Sequence, residues 1–394
     1  MPGAGADRVI VVGAGIAGLT TAIALRREGV KAEVFERRDE PSRLLTGGGF
    51  MLWHNAILAL RRIGLDGRVA AVGEPIRLHE FRSAGGRRLA RWRIDPKTES
   101  CGAPAIALRR SALNTILMEE AGDGVHLGAR LASFEQDDDG VTAYFEDGRS
   151  VRGDVLIGAD GLRSTVRGAL RRWHEAPPRH AGYTAWQAIT RLPGEDLVPT
   201  GTFFNLWGRG LRFLYCRLNE HEVYWDAITS DRVRDRFDTV RSGKRAVLAE
   251  GYRDWPAPIP QVIESTDEDA ILPIEIFDRP PGETWGHGRV TLVGDAAHPM
   301  TLNLSQGAGQ GIESAVVLGR TLAAGADDPV RALREYEERR RARTADMVNT
   351  SWWIGAMGRP RSALVCGLRN AFMRATFDTF AFRQSYSLML DTDF

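Results

Sequence analysis

Glycine and acidic residues follow short apolar runs at three places in this sequence. GAGIAG (13–18) follows the run RVIVV, GADG (158–161) follows VLI, and GDAAHPMTLNLSQGAGQG (294–311) follows VTLV. Bare backbone can approach phosphate groups closely, and a carboxylate at a strand end can accept hydrogen bonds from sugar or polyol hydroxyls. The three stretches therefore predict the site of a large, flat ligand that carries phosphates and hydroxyls.

The first stretch has the GxGxxG spacing of a dinucleotide site. Gly13 permits a tight turn, Gly15 lets the backbone approach a pyrophosphate, and Gly18 lets helix and strand pack closely. Glu36, 18 residues beyond Gly18, ends the next apolar run, where a carboxylate accepts the hydroxyls of an adenosine ribose. This motif does not distinguish FAD from NAD. The two later motifs favour FAD, because a nicotinamide dinucleotide alone would not need both.

Elements of a doubly wound sheet position these residues. A strand at 8–12, a helix that ends at Gly29 and a strand that ends at Glu36 make one βαβ unit. Further expected elements are helices at 55–63, 110–121 and 328–349, a hairpin around Asp147-Gly148, a strand at 155–158 and an amphipathic helix from 360.

The texture of the sequence changes between about residue 180 and residue 280. The segments YTAWQAI, GTFFNLW, LRFLYCRL and EVYWDAI are aromatic and alternate, which is typical of an antiparallel sheet. We therefore predict an α/β fold in which an antiparallel or mixed sheet is inserted into a Rossmann-type doubly wound domain. The expected FAD-binding domain comprises 1–75, 102–179 and 284–350, the substrate domain 76–101 and 180–283, and a C-terminal helical segment 351–394.

Composition excludes several classes of protein. The formal net charge is +1, so the overall charge gives no reason to expect binding to nucleic acid or to an anionic membrane. The three cysteines lie far apart and show no metal-ligand spacing, so neither a metal nor a disulfide framework is expected. No apolar window of about 18 residues and no secretory signal is evident, which favours a cytoplasmic protein. The sequence leaves a monomer and a homodimer both open.

The three stretches and Glu36 together resemble the fingerprints of the class A flavin-dependent aromatic monooxygenases, the para-hydroxybenzoate hydroxylase family. The resemblance runs in order from residue 8 to about residue 345. It implies an enzyme that binds FAD and uses NADH or NADPH as a transient co-substrate. With dioxygen, and via a flavin C4a-hydroperoxide, such an enzyme hydroxylates an aromatic or polycyclic small molecule. An epoxidase, an FAD-dependent reductase or dehydrogenase, and a non-catalytic binding protein are the alternatives.

The resemblance also implies roles for individual residues. Arg110 matches an arginine held against the cofactor, with Arg109 as the alternative register, and Asp160 is expected to contact both nucleotides or to cap a helix. Asp295 matches the aspartate on the ribityl chain, and the helix that starts at Gly307 faces the flavin pyrimidine. The residues expected to bind the cofactor are Gly13, Gly15, Ala17, Gly18, Glu36, Arg37, Gly49, Arg110, Asp160, Gly161, Gly294, Asp295, Gly307, Ala308 and Gly309.

The sequence departs from the family pattern at several positions. Leu302, followed by Asn303, occupies the place of a proline that usually stiffens the loop beside the ring. His54 stands where many relatives have proline, and it is either an acid–base group or a packed histidine. Gln187 stands where the urate- and salicylate-type branch often has arginine, which makes an anionic substrate less expected. His298 is expected to shape its motif rather than to do chemistry.

The aromatic sheet is the natural wall of a substrate pocket. For each aromatic side chain, ordinary core packing is the alternative, but as a group some are expected to face the cofactor. The expected pocket residues are Trp186, Phe204, Phe213, Tyr215, Trp225, Leu302 and Asn303, with His54, Gln187 and Tyr215 as candidates for a catalytic role.

Overall fold

The computed structural model describes residues 8–43, 47–170, 176–191, 197–234, 242–377 and 392. The strands, in chain order, are β1 (Arg8–Val12), β2 (Lys31–Phe35), β3 (Gly49–Leu52), β4 (Glu74–Ile76), β5 (Leu78–Ser83), β6 (Arg88–Arg93), β7 (Ala105–Arg109), β8 (Val125–His126), β9 (Leu131–Gln136), β10 (Val141–Phe145), β11 (Ser150–Gly153), β12 (Val155–Gly158), β13 (Arg179–Arg191), β14 (Thr202–Trp207), β15 (Leu211–Arg217), β16 (Glu222–Ser230), β17 (Leu272–Asp278) and β18 (Val290–Leu292). The α-helices are α1 (Ile16–Arg27), α2 (His54–Arg62), α3 (Asp66–Ala70), α4 (Asp95–Cys101), α5 (Arg110–Ala121), α6 (Thr165–Leu170), α7 (Asp231–Arg234), α8 (Lys244–Tyr252), α9 (Ile259–Glu264), α10 (Gly307–Ala324), α11 (Pro329–Gly358) and α12 (Ala363–Thr376).

A five-stranded parallel sheet carries the three glycine-rich stretches. Its order is β18-β12-β1-β2-β8, so that β1 lies between β12 and β2. β12 and β18 are buried throughout, and β1 is buried except at its first residue, as is usual for parallel strands that helices cover on both faces. Because β1, β12 and β18 are parallel neighbours, their carboxyl ends meet at one edge. The predicted doubly wound α/β fold is thus confirmed, and all three stretches lie along this edge.

A seven-stranded sheet forms the second half of the molecule. Its order is β17-β13-β16-β15-β14-β5-β6, and every pairing is antiparallel except the parallel pair β14–β5. β5 and β6 therefore extend the aromatic strands into one surface. One face packs against α8 and α9 and forms a core with Tyr252 and Ile259, while the other face packs toward β3 and β7. Alternate residues of β15 and β16 belong to these two different cores.

The last two described helices pack against the seven-stranded sheet. The carboxylate of Asp328 accepts a hydrogen bond from the Arg331 N–H at 3.0 Å and caps the start of α11. This helix continues nine residues beyond the predicted end at 349, and Pro360 follows two residues after its last residue. The next helix, α12, starts after Ser362, whose hydroxyl caps it. Among the described residues, no helix is both long enough and apolar enough to cross a bilayer.

Candidate active site

The first glycine-rich stretch combines close packing with one open position. Gly13 has a φ of 105°, and a Cβ atom there would lie 2.6 Å from the Ala159 carbonyl oxygen. A Cβ atom at Gly18 would lie 1.9 Å from the Gly13 oxygen, so both positions exclude a side chain. At Gly15, by contrast, no atom lies within 4 Å of the place of a Cβ. This open backbone at the start of α1 fits the approach of a pyrophosphate.

Glu36 joins the end of β2 to this loop. Its side chain is buried, and its carboxylate accepts hydrogen bonds from the Ala14 N–H at 2.8 Å and the Arg38 N–H at 3.0 Å. A carboxylate offers about four acceptor positions, so these two bonds leave capacity for ribose hydroxyls. The neighbouring Arg37 is exposed.

Asp295 lies close to the start of α1. Gly294, with a φ of 61°, packs so tightly on Ala17 that a Cβ atom would be 2.5 Å from that methyl group. The Asp295 side chain is exposed to solvent, yet the protein around it is dense enough that burial raises its pKa, while Arg110 opposes this rise. A group with both properties lies in a cleft. Such an exposed acceptor within a cleft fits a polyol chain.

The structure distinguishes Arg110 from Arg109, the two candidates for the arginine held against the cofactor. Arg110 lies close enough to Asp295 to lower its pKa, and its side chain covers Gly47. Arg109 instead donates from Nε to Glu222 Oε2 at 2.8 Å and from Nη2 to Oε1 at 2.5 Å. This bidentate pair joins β7 to the seven-stranded sheet. Arg110 is therefore the arginine beside Asp295.

Asp160 is engaged in capping a helix. Its carboxylate accepts hydrogen bonds from the Thr165 N–H at 2.7 Å and from the Ser164 hydroxyl at 2.5 Å. Burial raises the pKa of this carboxyl, and these hydrogen bonds oppose the rise. The next residue, Gly161, has a φ of 83° and open space at the position of a Cβ. The contacts of Asp160 are therefore those of a helix cap, which is one of the two roles expected from the sequence.

The helix α10 starts at Gly307, as predicted, above a buried polar cluster. Gln306 and Gln310 are fully buried and hydrogen bonded to each other. Their partners converge on Glu313, which Arg340 and Arg343 contact at 2.8 Å. Burial raises the pKa of Glu313, and the two arginines overcome this effect, so that its pKa lies below the ordinary value.

The members of this Glu313 cluster are Asn55, Gln306, Gln310, Glu313, Ser314, Arg340 and Arg343. Two cations and one anion give it a net positive charge beneath the start of α10. The glutamines thus anchor the helix instead of facing a ligand. Sequence reasoning missed the cluster, although one glutamate inside the apolar run GIESAVVLG was a signal of a buried partner.

An apolar cavity lies between the seven-stranded sheet and the loop that precedes α10. Its lining consists of Trp53, His79, Phe81, Trp92, Phe203, Asn205, Trp207, Asn303, Leu304, Ser305, Ile354, Met357 and Phe377. None of these side chains carries a formal charge, because burial lowers the pKa of His79 to about 3 and keeps its ring neutral.

Four polar atoms in this lining have no hydrogen-bond partner among the residues that the structure describes. They are both ring nitrogens of His79, Oδ1 of Asn205 and Nε1 of Trp207, and all three side chains are more than nine-tenths buried. A buried polar group without a partner carries a desolvation cost of about 1–3 kcal/mol. The cavity therefore offers donors and acceptors that a bound molecule could satisfy.

The predicted pocket aromatics lie on the face of the sheet that packs against α8 and α9. Trp186, Phe204, Phe213, Tyr215 and Trp225 pack into the core against α8 and α9, and none of them lines the cavity. Phe204 stacks on Tyr215 at 4.8 Å, and burial raises the pKa of the Tyr215 hydroxyl. We correct the assignment for a physical reason: side chains alternate along a strand, and both faces of this sheet are apolar. Phe203, Asn205 and Trp207 are the cavity-facing residues of β14.

The two remaining catalytic candidates lie in different surroundings. His54 is fully buried, its Nδ1 lies 2.6 Å from the Ala103 oxygen, and burial lowers its pKa to about 4, so the structure favours the packed histidine. Gln187 is half-buried, its Oε1 lies 3.2 Å from the place of a Cβ at Gly48, and its Nε2 donates to the Tyr224 hydroxyl at 3.2 Å.

A buried acid ends the hydrogen-bond chain that starts at Gln187. Tyr224 donates onward to Asp226 Oδ2 at 2.5 Å. Burial raises the pKa of Asp226 to about 7. The chain Gln187–Tyr224–Asp226 thus joins the glycines before β3 to an acid that titrates near neutral pH.

Asn303 fixes the loop in which the family proline is absent. Its Nδ2 lies within 2.9 Å of the Tyr183 hydroxyl, the Thr301 hydroxyl and the Ser351 carbonyl oxygen. Its Oδ1 accepts from Arg212 Nη1 at 2.6 Å. Leu302 is half-buried against the core between the seven-stranded sheet and the strands β3 and β7. Hydrogen bonds to the sheet and to α11 therefore hold this loop.

Similarity to known proteins agrees with this geometry. The family model described as an FAD binding domain matches residues 7–190 and 281–351. The aurachin C monooxygenase/isomerase of Stigmatella aurantiaca is 38% identical over 93% of each chain, and the 3-amino-4-hydroxybenzoate 2-monooxygenase of Streptomyces cremeus is 32% identical over 94% of this chain and 92% of its own. The structure of Klebsiella pneumoniae HpxO complexed with FAD and uric acid is 28% identical, with a TM-score of 0.86 over 97% of this chain and 95% of that one. The chain belongs to this family and is a class A FAD-dependent monooxygenase.

Proposed function

We propose that this FAD-dependent monooxygenase hydroxylates a neutral, largely apolar aromatic or polycyclic molecule that it holds in the cavity beside Asn303. The relatives named above act on substrates that include an aminohydroxybenzoate, which is an acid. Among the described residues, no cationic side chain lines the cavity, and Arg212 lies behind the lining, stacked on Trp207 and hydrogen bonded to Asn303. This uncharged, apolar wall is the observation that carries the proposal, because an anion would lose its hydration there without gaining a charged partner.

The residues at the sheet edge would hold FAD. Open backbone at Gly15 would accept the pyrophosphate, Glu36 the adenosine ribose, and Asp295, beside Arg110, the ribityl chain. The start of α10 would lie near the flavin ring, where its dipole and the positive Glu313 cluster stabilise added negative charge. FAD, once reduced by NADH or NADPH, supplies the activation of dioxygen.

The chain is divided between cofactor binding and substrate binding. We assign residues 1–75, 102–179 and 284–350 to cofactor binding, and residues 76–101 and 180–283 to the substrate domain. The strands β5 and β6 support the first break, since they leave the nucleotide half and join the seven-stranded sheet. We assign residues 351–394 to a C-terminal segment, and Ile354 and Met357 of this segment line the cavity.

The unpaired polar groups would orient the substrate. The neutral ring of His79 has one N–H donor and one free lone pair, so it can accept a hydrogen bond from a ring N–H or O–H. Trp207 Nε1 can donate to a carbonyl or phenolic oxygen, and Asn205 Oδ1 can accept. A heteroaromatic bicycle with a donor and an acceptor would satisfy these groups, while the surrounding rings exclude water.

A ligand panel tests the proposal. The purified holoenzyme is titrated with 4-hydroxyquinoline, 1-naphthol, naphthalene and salicylate, and the shift of the flavin absorbance is recorded. It is then reduced without oxygen by NADH or NADPH and mixed with aerated buffer, and the products are identified. We expect 4-hydroxyquinoline and 1-naphthol to bind and the anionic salicylate to bind at least about tenfold more weakly. Tighter binding of salicylate than of every neutral compound would contradict the proposal.

A matched variant identifies the polar contact. His79→Phe keeps an aromatic ring in the wall but removes both nitrogens. We expect it to weaken 4-hydroxyquinoline about tenfold and to leave naphthalene unchanged. Equal losses for both compounds would show that the histidine acts through packing alone.

A further inference from the structure

A strongly apolar surface lies on the outer side of the two C-terminal helices. Of the large hydrophobic side chains that the described residues expose, half lie between residues 353 and 372: Trp353 (70% exposed), Leu364 (73%), Val365 (45%), Leu368 (64%) and Phe372 (56%). Single exposed apolar residues are ordinary on a protein surface, whereas a cluster of this kind marks an interaction site.

The arrangement along α12 is that of an amphipathic helix. Leu364, Leu368 and Phe372 are spaced by four residues and lie along one exposed stripe, which we call the α12 stripe. The opposite side is buried: Met373 packs with Trp207 beneath the helix, and Cys366 is buried as well. The helix thus has a docked apolar face and an equally apolar free face.

The charged side chains of residues 347–377 are all arginines. Residues 347–377 contain four arginines and neither aspartate nor glutamate, although the whole chain has a net charge of only +1. Arg359 and Arg374 are exposed, and Arg209 joins them because its Nε donates to the Arg361 carbonyl oxygen at 2.9 Å. Within the described residues, no carboxylate forms an ion pair with any of these side chains. Repulsion between two such surfaces disfavours a contact between copies of the chain.

We propose that the α12 stripe binds the surface of an anionic lipid bilayer. Leucine and phenylalanine on one face, with arginine beside them, are the side chains by which an amphipathic helix lies in a membrane interface. The net charge of the whole chain, from which no membrane binding was expected, averages out this local excess of arginine. The proposal does not depend on the identity of the substrate.

Co-sedimentation of the FAD-loaded protein with vesicles tests the proposal. Vesicles of phosphatidylglycerol and phosphatidylcholine are compared with vesicles of phosphatidylcholine alone, at low and at high salt. We expect binding to the anionic vesicles, a severalfold loss at high salt and weak binding to the neutral ones. Leu368→Glu and Phe372→Glu should each lower binding at least about tenfold, and Arg374→Gln about fivefold.

Matched controls separate this surface from the rest of the molecule. Val72→Glu changes another exposed apolar residue and Arg320→Gln another exposed arginine, and both should leave vesicle binding unchanged. Flavin absorbance and the thermal midpoint verify that each variant is folded. Absence of binding by the wild-type protein would overturn the proposal, as would a dimer in light scattering that Leu368→Glu dissociates. The first result would mean that the stripe does not bind lipid, and the second that it joins two copies.

Discussion

The two phenylalanines of β14 permit a direct test of which sheet face meets the substrate. Phe203 and Phe204 are adjacent, of one type and almost equally buried, but only Phe203 lines the cavity. Phe204 packs into the core against α8 and α9, where its ring stacks on Tyr215. Replacing each by alanine therefore removes the same atoms from opposite faces of one strand.

The expected magnitudes follow from these surroundings. Phe204→Ala opens a void in a closed core and removes an aromatic stack, so the free energy of unfolding should fall by about 3–5 kcal/mol. Phe203→Ala enlarges a space that already exists. Its cost should lie near the transfer term alone, about 1.5–3 kcal/mol. In Phe203→Ala, a ligand in the cavity loses its contact with the Phe203 ring. We expect its affinity to fall roughly tenfold, which corresponds to about 1.4 kcal/mol of binding free energy.

Two measurements on each variant decide the question. Urea unfolding gives the change in stability, and titration of the flavin absorbance with 4-hydroxyquinoline gives the affinity at a temperature where both variants are folded. We expect Phe203→Ala to weaken the ligand and Phe204→Ala to leave its affinity unchanged. If Phe204→Ala weakened the ligand and Phe203→Ala did not, the substrate would lie on the α8–α9 face and our correction would be wrong.

Three further predictions concern carboxylates. Asp295→Ala should leave a folded protein that no longer retains FAD, as measured by flavin absorbance after gel filtration. Because burial raises the pKa of Asp226 to about 7, the folded protein binds this proton more tightly than the unfolded chain. Stability should therefore fall by at most about 4 kcal/mol as the pH rises from about 4 to 7, and Asp226→Asn should flatten this profile in urea unfolding. Glu313→Gln leaves the buried Arg340 and the half-buried Arg343 without their anion and should cost about 3–5 kcal/mol, whereas Glu335→Gln, at an exposed pair, should cost less than about 1 kcal/mol.

The cofactor half of the molecule was predictable because its signals are local. The glycines between β1 and α1 are required by contacts within a few residues or with the neighbouring strand end, and this requirement leaves a fixed spacing in the sequence. The bounds of α5 and β12 and the start of α10 at Gly307 agree with the expected ones for the same reason. The glycines gave no sign that the two glutamines among them take part in a buried hydrogen-bond network. Gln306 and Gln310 bind residues of α2 and α11, which are distant in the sequence.

The face of the seven-stranded sheet was not predictable from alternation. On β14 both sets of alternating residues are mostly apolar and all six positions are buried, so the usual contrast between an inner and an outer face is missing. A shift of one residue in the assumed strand pattern then moves the whole set of side chains to the other face of the sheet. Asn205 was the available signal, since a lone amide among buried apolar neighbours marks a position that needs a partner.

Asn303 shows why the cofactor loop and the substrate sheet are best regarded as one unit. A proline would stiffen the loop through its own backbone, whereas Asn303 does so through bonds to Arg212 on β15, Tyr183 on β13 and Ser351 on α11. The same asparagine lines the cavity. A substrate that moves the sheet by a fraction of an ångström would therefore act on the loop beside the flavin. We therefore expect the fit of the substrate and the position of that loop to be energetically linked in this chain.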